Sequence, residues 1–493
     1  MRFKSDGRSA SSPKAARVTL SDALALPHVI EAIATSLDNQ DDFSSFFHAV
    51  PRSLWTPALT AFLDCSTTTP PSVHAYWPHI KLRDMDLPPS VLALLAATLP
   101  LRPRIELQYV IRDAARLVSL VAALGPALRS IFLDFDEGAM IQGQGRAISN
   151  LLLQRCPRLR HMNISVISCS ENEAVELNDL LAVVAHPHVH NLSISLESVT
   201  IAPPRLGHHL ATWLSTARPA TILSLAHIDQ MDHEGAIAFY DALQANTTLQ
   251  ELIVYNTPAL GGFHGRTLPV SLKRLRWNVD EVVDAAMLTD LATAVGPTQL
   301  EHLECIGFGQ LATCPAAAPM LSQLQSLTAS SLYADDMESL IAGVSLVPAL
   351  TYLVLRGGNL STFMELLLEA LATTCMRLSG LAVDDRNLTR DGATAVLSGV
   401  LRLPRLTSLR LSMHLLDVLH VLPEHVAAGR HLRCLTLKTI EFNVKDEEKC
   451  AIYKALAQVP DVPFVLQRLP KDMEKFVVDA LSPRADRRHE CSN

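Results

Sequence analysis

One pattern constrains this chain more than any other: a six-residue frame that recurs fourteen times between residues 77 and 437. Positions four and six of the frame are apolar in every copy, and position one usually is. The first copies read Trp77-Pro-His-Ile-Lys-Leu82, Arg102-Pro-Arg-Ile-Glu-Leu107 and Leu128-Arg-Ser-Ile-Phe-Leu133. Others start at Leu159, Val189, Ala220, Leu249, Leu272, Leu300, Leu324, Leu350, Leu378, Leu406 and Leu432. Position four is Leu in ten copies, and the intervals run from 23 to 31 residues. A period of this length belongs to chains that stack one small unit many times.

The frame predicts a strand, because side chains two apart share a face and successive ones alternate. Positions four and six then point inward, and positions three and five face solvent. Helical spacing fills the gaps between frames. Ala236, Phe239, Tyr240 and Leu243 fall at i, i+3, i+4 and i+7 of one helix face, as do Ala393, Val396, Leu397 and Val400. Each unit reads as strand, turn, helix and return, which is an α/β arrangement. One such unit leaves its apolar side uncovered, so neighbours must stack and share a core.

This periodicity resembles leucine-rich repeats of the ribonuclease-inhibitor type, most closely over Asp232–Leu252 and Thr389–Leu411. The resemblance implies a horseshoe-shaped solenoid of about fourteen repeats over residues 73–466, built from parallel strands and helices. It also implies Asn or Cys at the ninth position, tying adjacent coils by backbone hydrogen bonds. Here that position holds Asp136, Glu197, Ile228, Thr257, Arg386, His414 or Ile440, while Asn359 and Asn387 come one residue late.

Composition follows from the pattern. Leu makes up 80 of 493 residues and aromatics only 5%, as expected where one narrow interior is filled repeatedly. The net charge of −8 and the absence of a basic stripe argue against a nucleic-acid partner. No run of 18 apolar residues occurs, so no membrane span is expected. Nine scattered cysteines without a C-x-x-C pair read as free thiols in a reducing compartment. The polar start, Met1-Arg-Phe-Lys-Ser-Asp-Gly-Arg, reads as a disordered basic tail over 1–20 rather than a signal. A charged tail is expected over 470–493. Cytoplasm, or the nucleus, is the expected location.

Residues 21–65 form a separate apolar segment, closed by a linker or turn at Ser66-Thr-Thr-Thr-Pro-Pro-Ser72. Pro27 suits the first turn of a helix with Val29, Ile30, Ile33 and Leu37 on one face. Asp41 and Asp42 are placed to cap a second helix carrying Phe43, Phe46, Phe47 and Val50, ended by Pro51. Trp55 anchors the chain beyond that helix. The segment resembles an F-box in Leu26-Pro27, the helix with Ile30, Ile33 and Leu37, the acidic pair, and the Val50…Trp55 ending. The resemblance implies that Leu26, Pro27, Ile30, Ile33, Leu37, Val50 and Trp55 bind the adaptor subunit of a cullin–RING (SCF-type) ubiquitin ligase. The other reading is a helical cap over the open end of the solenoid.

Catalytic signals are weak throughout. His186-Pro-His-Val-His190 has three imidazoles but no nearby Cys pair or carboxylate to complete a metal site. Gly261-Gly-Phe-His-Gly265 is glycine-rich but lacks the order of a phosphate-binding loop. No cofactor, metal or enzymatic activity is expected. The outward strand positions are the better functional candidate: Arg274, Arg276, Glu301, His302, Glu304, Tyr352 and Arg410. Gln325, Ser326, Thr328, Ser379 and Ala382 form a small-side-chain stretch that lets another chain come close. The expected function is therefore protein recognition on the concave face, as a ligase substrate receptor or as a scaffold or inhibitor without a ligase link.

Overall fold

All fourteen frames form strands in the computed structural model, which describes residues 26–67, 69–110, 114–135, 143–167, 171–197, 199, 203–216, 219–279, 283–385, 387–413, 431–439 and 464–467. The expected tails at 1–20 and 470–493 lie outside these residues, as do Asp136, Arg386, His414 and Ile440. The chain is α/β with mostly parallel strand pairing, and it divides into two compact units. One comprises Met1–Tyr109, Ala115–Ile131 and Arg155–Arg158; the other comprises Val110–Ala114, Phe132–Gln154 and Leu159–Asn493. The division falls inside the strand–helix series, not at residues 66–72. Residues 26–67 share one body with the first strands.

The first body opens with three helices, α1 (Pro27–Ser36), α2 (Gln40–Ala49) and α3 (Pro57–Thr67), then β1 (Val73–Tyr76), β2 (His79–Leu82), α4 (Pro89–Ala97), β3 (Arg104–Val110) and α5 (Ala114–Leu124). Pro27 occupies the first turn of α1, where its missing N–H costs nothing. Asn39, not the acidic pair, caps α2: its side chain accepts from the Asp42 amide, while Asp41 and Asp42 sit in the first turn. There their charge favours the positive end of the helix. The expected linker begins later than read, since Ser66 and Thr67 still belong to α3.

Trp77 explains why these helices do not form a detached module. It is 2% exposed, stacks on Phe43 at 4.3 Å between centroids, and meets the Phe62 edge at 5.2 Å. Its indole N–H donates to the Leu37 carbonyl at 2.7 Å, and its amide donates to the Gln40 side chain. Such a contact combines large apolar burial with a satisfied indole donor. β1 pairs antiparallel with β2, which pairs parallel with β3.

Then come β4 (Leu128–Phe135), α6 (Gln144–Arg155), β5 (His161–Val166), α7 (Glu171–Leu181), β6 (Asn191–Leu196), α8 (Leu206–Thr216), β7 (Ile222–Ala226), α9 (His233–Ala245), β8 (Glu251–Tyr255) and β9 (Arg274–Asn278). They are followed by α10 (Ala285–Val295), β10 (His302–Ile306), α11 (Phe308–Thr313), α12 (Ala318–Leu321), β11 (Ser326–Leu332), α13 (Met337–Val344) and β12 (Tyr352–Gly357). The last described elements are α14 (Met364–Thr374), β13 (Gly380–Asp385), α15 (Arg390–Gly399), β14 (Ser408–Met413), β15 (Cys434–Thr439) and β16 (Phe464–Gln467).

From β5 to β16 each strand pairs in parallel with its chain neighbour. The register aligns position four of the eleven frames from β5 to β15: Met162, Leu192, Leu223, Leu252, Leu275, Leu303, Leu327, Leu353, Leu381, Leu409 and Leu435 form one row. None of these side chains is more than 2% exposed. Burying each contributes roughly 1.5–3 kcal/mol. Helices cover this face, and their own apolar sides complete the core. In α9, capped by Asp232 through the Gly235 amide at 2.7 Å, the buried residues are Gly235, Phe239, Tyr240 and Leu243. Ala236 is only half-buried; Gly235 takes its place against α8. A Cβ on Gly207 would lie 2.3 Å from the Gly235 backbone, so two glycines let these helices touch.

Neighbouring units are tied by several different polar groups instead of a uniform Asn ladder. Thr257 is fully buried, and its hydroxyl donates to the Tyr255 carbonyl at 2.9 Å and reaches the Leu225 carbonyl of the preceding strand at 3.3 Å. Asp385, also fully buried, accepts from the Leu360 amide at 2.9 Å and the Asn387 amide at 2.8 Å. Glu176 accepts from the amides of Gly143 at 2.6 Å and Gly145 at 2.9 Å. Ile228 fills its ninth position with apolar bulk at 1% exposure.

Candidate functional site

The outward side of the strands carries a set of exposed charged and aromatic side chains. Because side chains alternate, His302 and Glu304 on β10 stand beside Arg274 and Arg276 on β9, and the register pairs them in that order. On the other side Glu251 of β8 is paired with Arg274. Arg274 Nη1 lies 3.4 Å from Glu251 Oε2. Glu304 is shared: Arg276 Nε lies 3.8 Å from one carboxylate oxygen, and Arg356 Nη1 from β12 lies 2.6 Å from the other.

Exposure divides these groups by sign. The carboxylate side chains of Glu251 and Glu304 are 12% and 16% exposed, whereas Arg274, Arg276 and Arg356 are 59%, 57% and 51% exposed. The acids lie on the floor of the sheet and the guanidiniums stand above them. Arg356 reaches back from β12 to β10 because the intervening strand offers only Ser326, Thr328 and Ser330 on this side. Tyr352 leans the other way, onto β13, where Gly380 is buried beneath its ring. A Cβ at residue 380 would lie 2.2 Å from the Tyr352 ring. Tyr352 keeps 39% exposure, and Tyr255 at the end of β8 keeps 55%.

The expected site residues are thus only partly brought together. Arg274, Arg276, Glu304, His302 and Tyr352 share one region. Glu301 precedes β10 and pairs with Lys273 at 3.2 Å. Arg410 lies on β14, two strands beyond Tyr352, in register with Ala382 and Thr436. Of the small residues, Gln325 and Ser379 are exposed, Ser326 and Thr328 are half-buried, and Ala382 is buried rather than presented. Sequence reasoning missed Glu251 and Arg356. Glu251 is position three of its frame, and carrying the alternation past position six to seven finds Arg356.

His302 is held below the usual imidazole range by burial and by the Arg274 charge beside it. His209 on α8 is lowered for similar reasons, burial first and Arg205 second, and its Nε2 is buried without a hydrogen-bond partner. In the His186–His190 run, His186 Nδ1 accepts from the His188 amide at 3.2 Å. No cluster of three or more metal-ligating side chains occurs among the described residues. The glycine-rich loop is a filled nest: the amides of Phe263, His264 and Gly265 all donate to the Asp290 carboxylate of α10. Successive backbone N–H groups of this kind bind anions, and here the chain supplies its own. No described helix is long and apolar enough to cross a membrane.

In the N-terminal helices, Leu26 is 45% exposed and Pro27 is exposed, while Ile33, Leu37, Val50 and Trp55 are half-buried. Ile30 is 2% exposed and packs inward with Ala34. Trp55 lies 4.1 Å from the Phe47 ring and donates its indole N–H to the Val50 carbonyl at 3.0 Å. Compared with protein-family models and with curated proteins, the chain matches none.

Proposed function

We propose that this chain is a non-catalytic protein-recognition module of the leucine-rich-repeat type, holding a protein target on the outward strand face. The observation that carries the reading is the division of that sheet. One side is a continuous row of buried leucines under helices; the other presents arginines and tyrosines. Arg and Tyr dominate the energetics of protein interfaces, because both bury large area while keeping polar contacts. In a leucine-rich-repeat solenoid this face is the concave one.

The F-box resemblance makes the fuller reading a substrate receptor of an SCF-type cullin–RING ligase. There α1 and α2 would dock on the adaptor, and the strand face would hold the protein to be ubiquitylated. Exposed Leu26 and Pro27 favour that role. The inward packing of Ile30 and the Trp77 contacts favour the second reading, in which the same helices cap the first strands of a scaffold or inhibitor.

Affinity purification of the intact chain with mass spectrometry separates the two. A receptor retains an adaptor subunit, and a Leu26→Asp variant that still folds loses it while keeping the target. A scaffold retains the target and no adaptor. Recovery of neither removes the recognition reading altogether.

A further inference from the structure

We infer that the partner segment bound between β8 and β12 is an extended acidic stretch of protein, read by Arg274, Arg276 and Arg356. The inference rests on the recognition reading above and adds the chemistry of the bound segment. Pairing does not exhaust these guanidiniums. Each carries five N–H donors in a planar fork. Arg276 and Arg356 divide the two oxygens of one carboxylate, and the Arg276 contact, at 3.8 Å, exceeds hydrogen-bonding distance.

The nearly buried glutamates act from below. They orient the arginines without competing for the outer donors, so the forks are ordered in advance. Pre-ordering lowers the entropy lost on binding. A second carboxylate arriving from outside can take two of the donors that a single glutamate contact leaves on each fork. A basic segment meets the exposed guanidiniums first, while the acids beside them, Glu251, Glu304 and the Asp384 in register with Arg356, sit half-buried below.

The shape fits an extended strand. Ser326 and Thr328 leave a low floor on β11, with Arg276 on one side and Tyr352 and Arg356 on the other. From β8 to β12 is four strand spacings, about 19 Å. About six extended residues span that distance. Tyr255 and Tyr352 stand at the two ends, placed to pack against apolar groups flanking the acids.

The test uses the full-length chain and fluorescein-labelled 12-residue peptides of alternating glutamate and glycine, lysine and glycine, or phosphoserine and glycine. Fluorescence anisotropy should show binding of the glutamate peptide that weakens with salt, and none of the lysine peptide. The R276Q/R356Q variant should lose about tenfold in affinity. R276K/R356K, which keeps the charge without the fork, should fall between that variant and the parent chain, and exposed Arg402→Gln should change nothing. Circular dichroism confirms that each variant folds. Equal binding of the lysine peptide, a loss under twofold in R276Q/R356Q, or binding of the phosphoserine peptide alone overturns the inference.

A photo-reactive side chain introduced at Thr328 or at Ala242 on α9 separates the two levels of the argument. Partners captured at Thr328 but indifferent to salt and to R276Q/R356Q leave the recognition face standing and refute the acidic segment. Partners captured only at Ala242 refute the face itself.

Discussion

Replacing Asp385 removes the tie between β13 and the turn that precedes α14, with a cost set by two backbone amides. The carboxylate is fully buried and accepts from Leu360 and Asn387. Leu360 is itself fully buried, so in D385A its N–H has no water to turn to. An unsatisfied buried donor costs about 1–3 kcal/mol. Asn387 is exposed and its amide can be hydrated, so it adds less. The expected loss for D385A is about 2–4 kcal/mol. At roughly 2–4 °C per kcal/mol for a body of a few hundred residues, melting falls by about 4–16 °C. D385N keeps one oxygen and turns an NH2 toward one of the donors, so it should lie between Asp and Ala. Native-state hydrogen exchange should place the lost protection between residues 350 and 400, because stacked units open locally. Denaturation showing D385A within 0.5 kcal/mol of the parent chain, or loss of protection spread evenly, would refute the reasoning.

Acidification tests two half-buried imidazoles. His209 and His302 are both lowered from 6.5, so below that pH the unfolded chain binds protons that the folded chain refuses. Their contribution is complete above pH 6.5 and is lost progressively as pH falls below it toward their lowered folded values; a urea series from pH 7.5 to 5.5 should show the loss begin, and H209Q/H302Q should flatten it. Native alkylation at pH 8 should label Cys314 ahead of Cys65 and Cys156, whose thiols burial pushes up to about 12, and of Cys375, pushed to about 11; fast labelling of Cys156 would contradict the packing. Leu353→Ala, in the middle of the leucine row, should cost about 2–5 kcal/mol by urea denaturation, whereas the exposed Leu366→Ala should cost under about 0.5.

What the sequence made legible was whatever depends on period. Every frame became a strand because alternation at positions four and six is a local property, tied to burial on one side. Asp385 was invisible because it sits at position eight, outside the expected ninth, and its partner Leu360 is 25 residues away. The cap of α2 was misplaced by two residues, since Asn39, Asp41 and Asp42 are all competent caps and geometry decides among them. Trp77 read as the apolar first position of a frame, yet its indole reaches Leu37, 40 residues back. Contacts between units cannot be read from a pattern within units. The same limit hid Arg356, which acts on a carboxylate two strands away.

Pairing of each strand only with its chain neighbour also bears on how the protein is made. In the second body no strand waits for a distant partner: Leu275, Leu303, Leu327 and Leu353 meet in order of synthesis. Closing each successive loop carries nearly the same entropy, because that cost grows only with the logarithm of loop length and the intervals stay between 23 and 31 residues. At about 5–20 residues per second, a ribosome releases one such stretch every few seconds. That interval is long beside the time a helix or hairpin needs to form. A nascent chain can therefore add one finished layer at a time, with only its most recent leucines facing water.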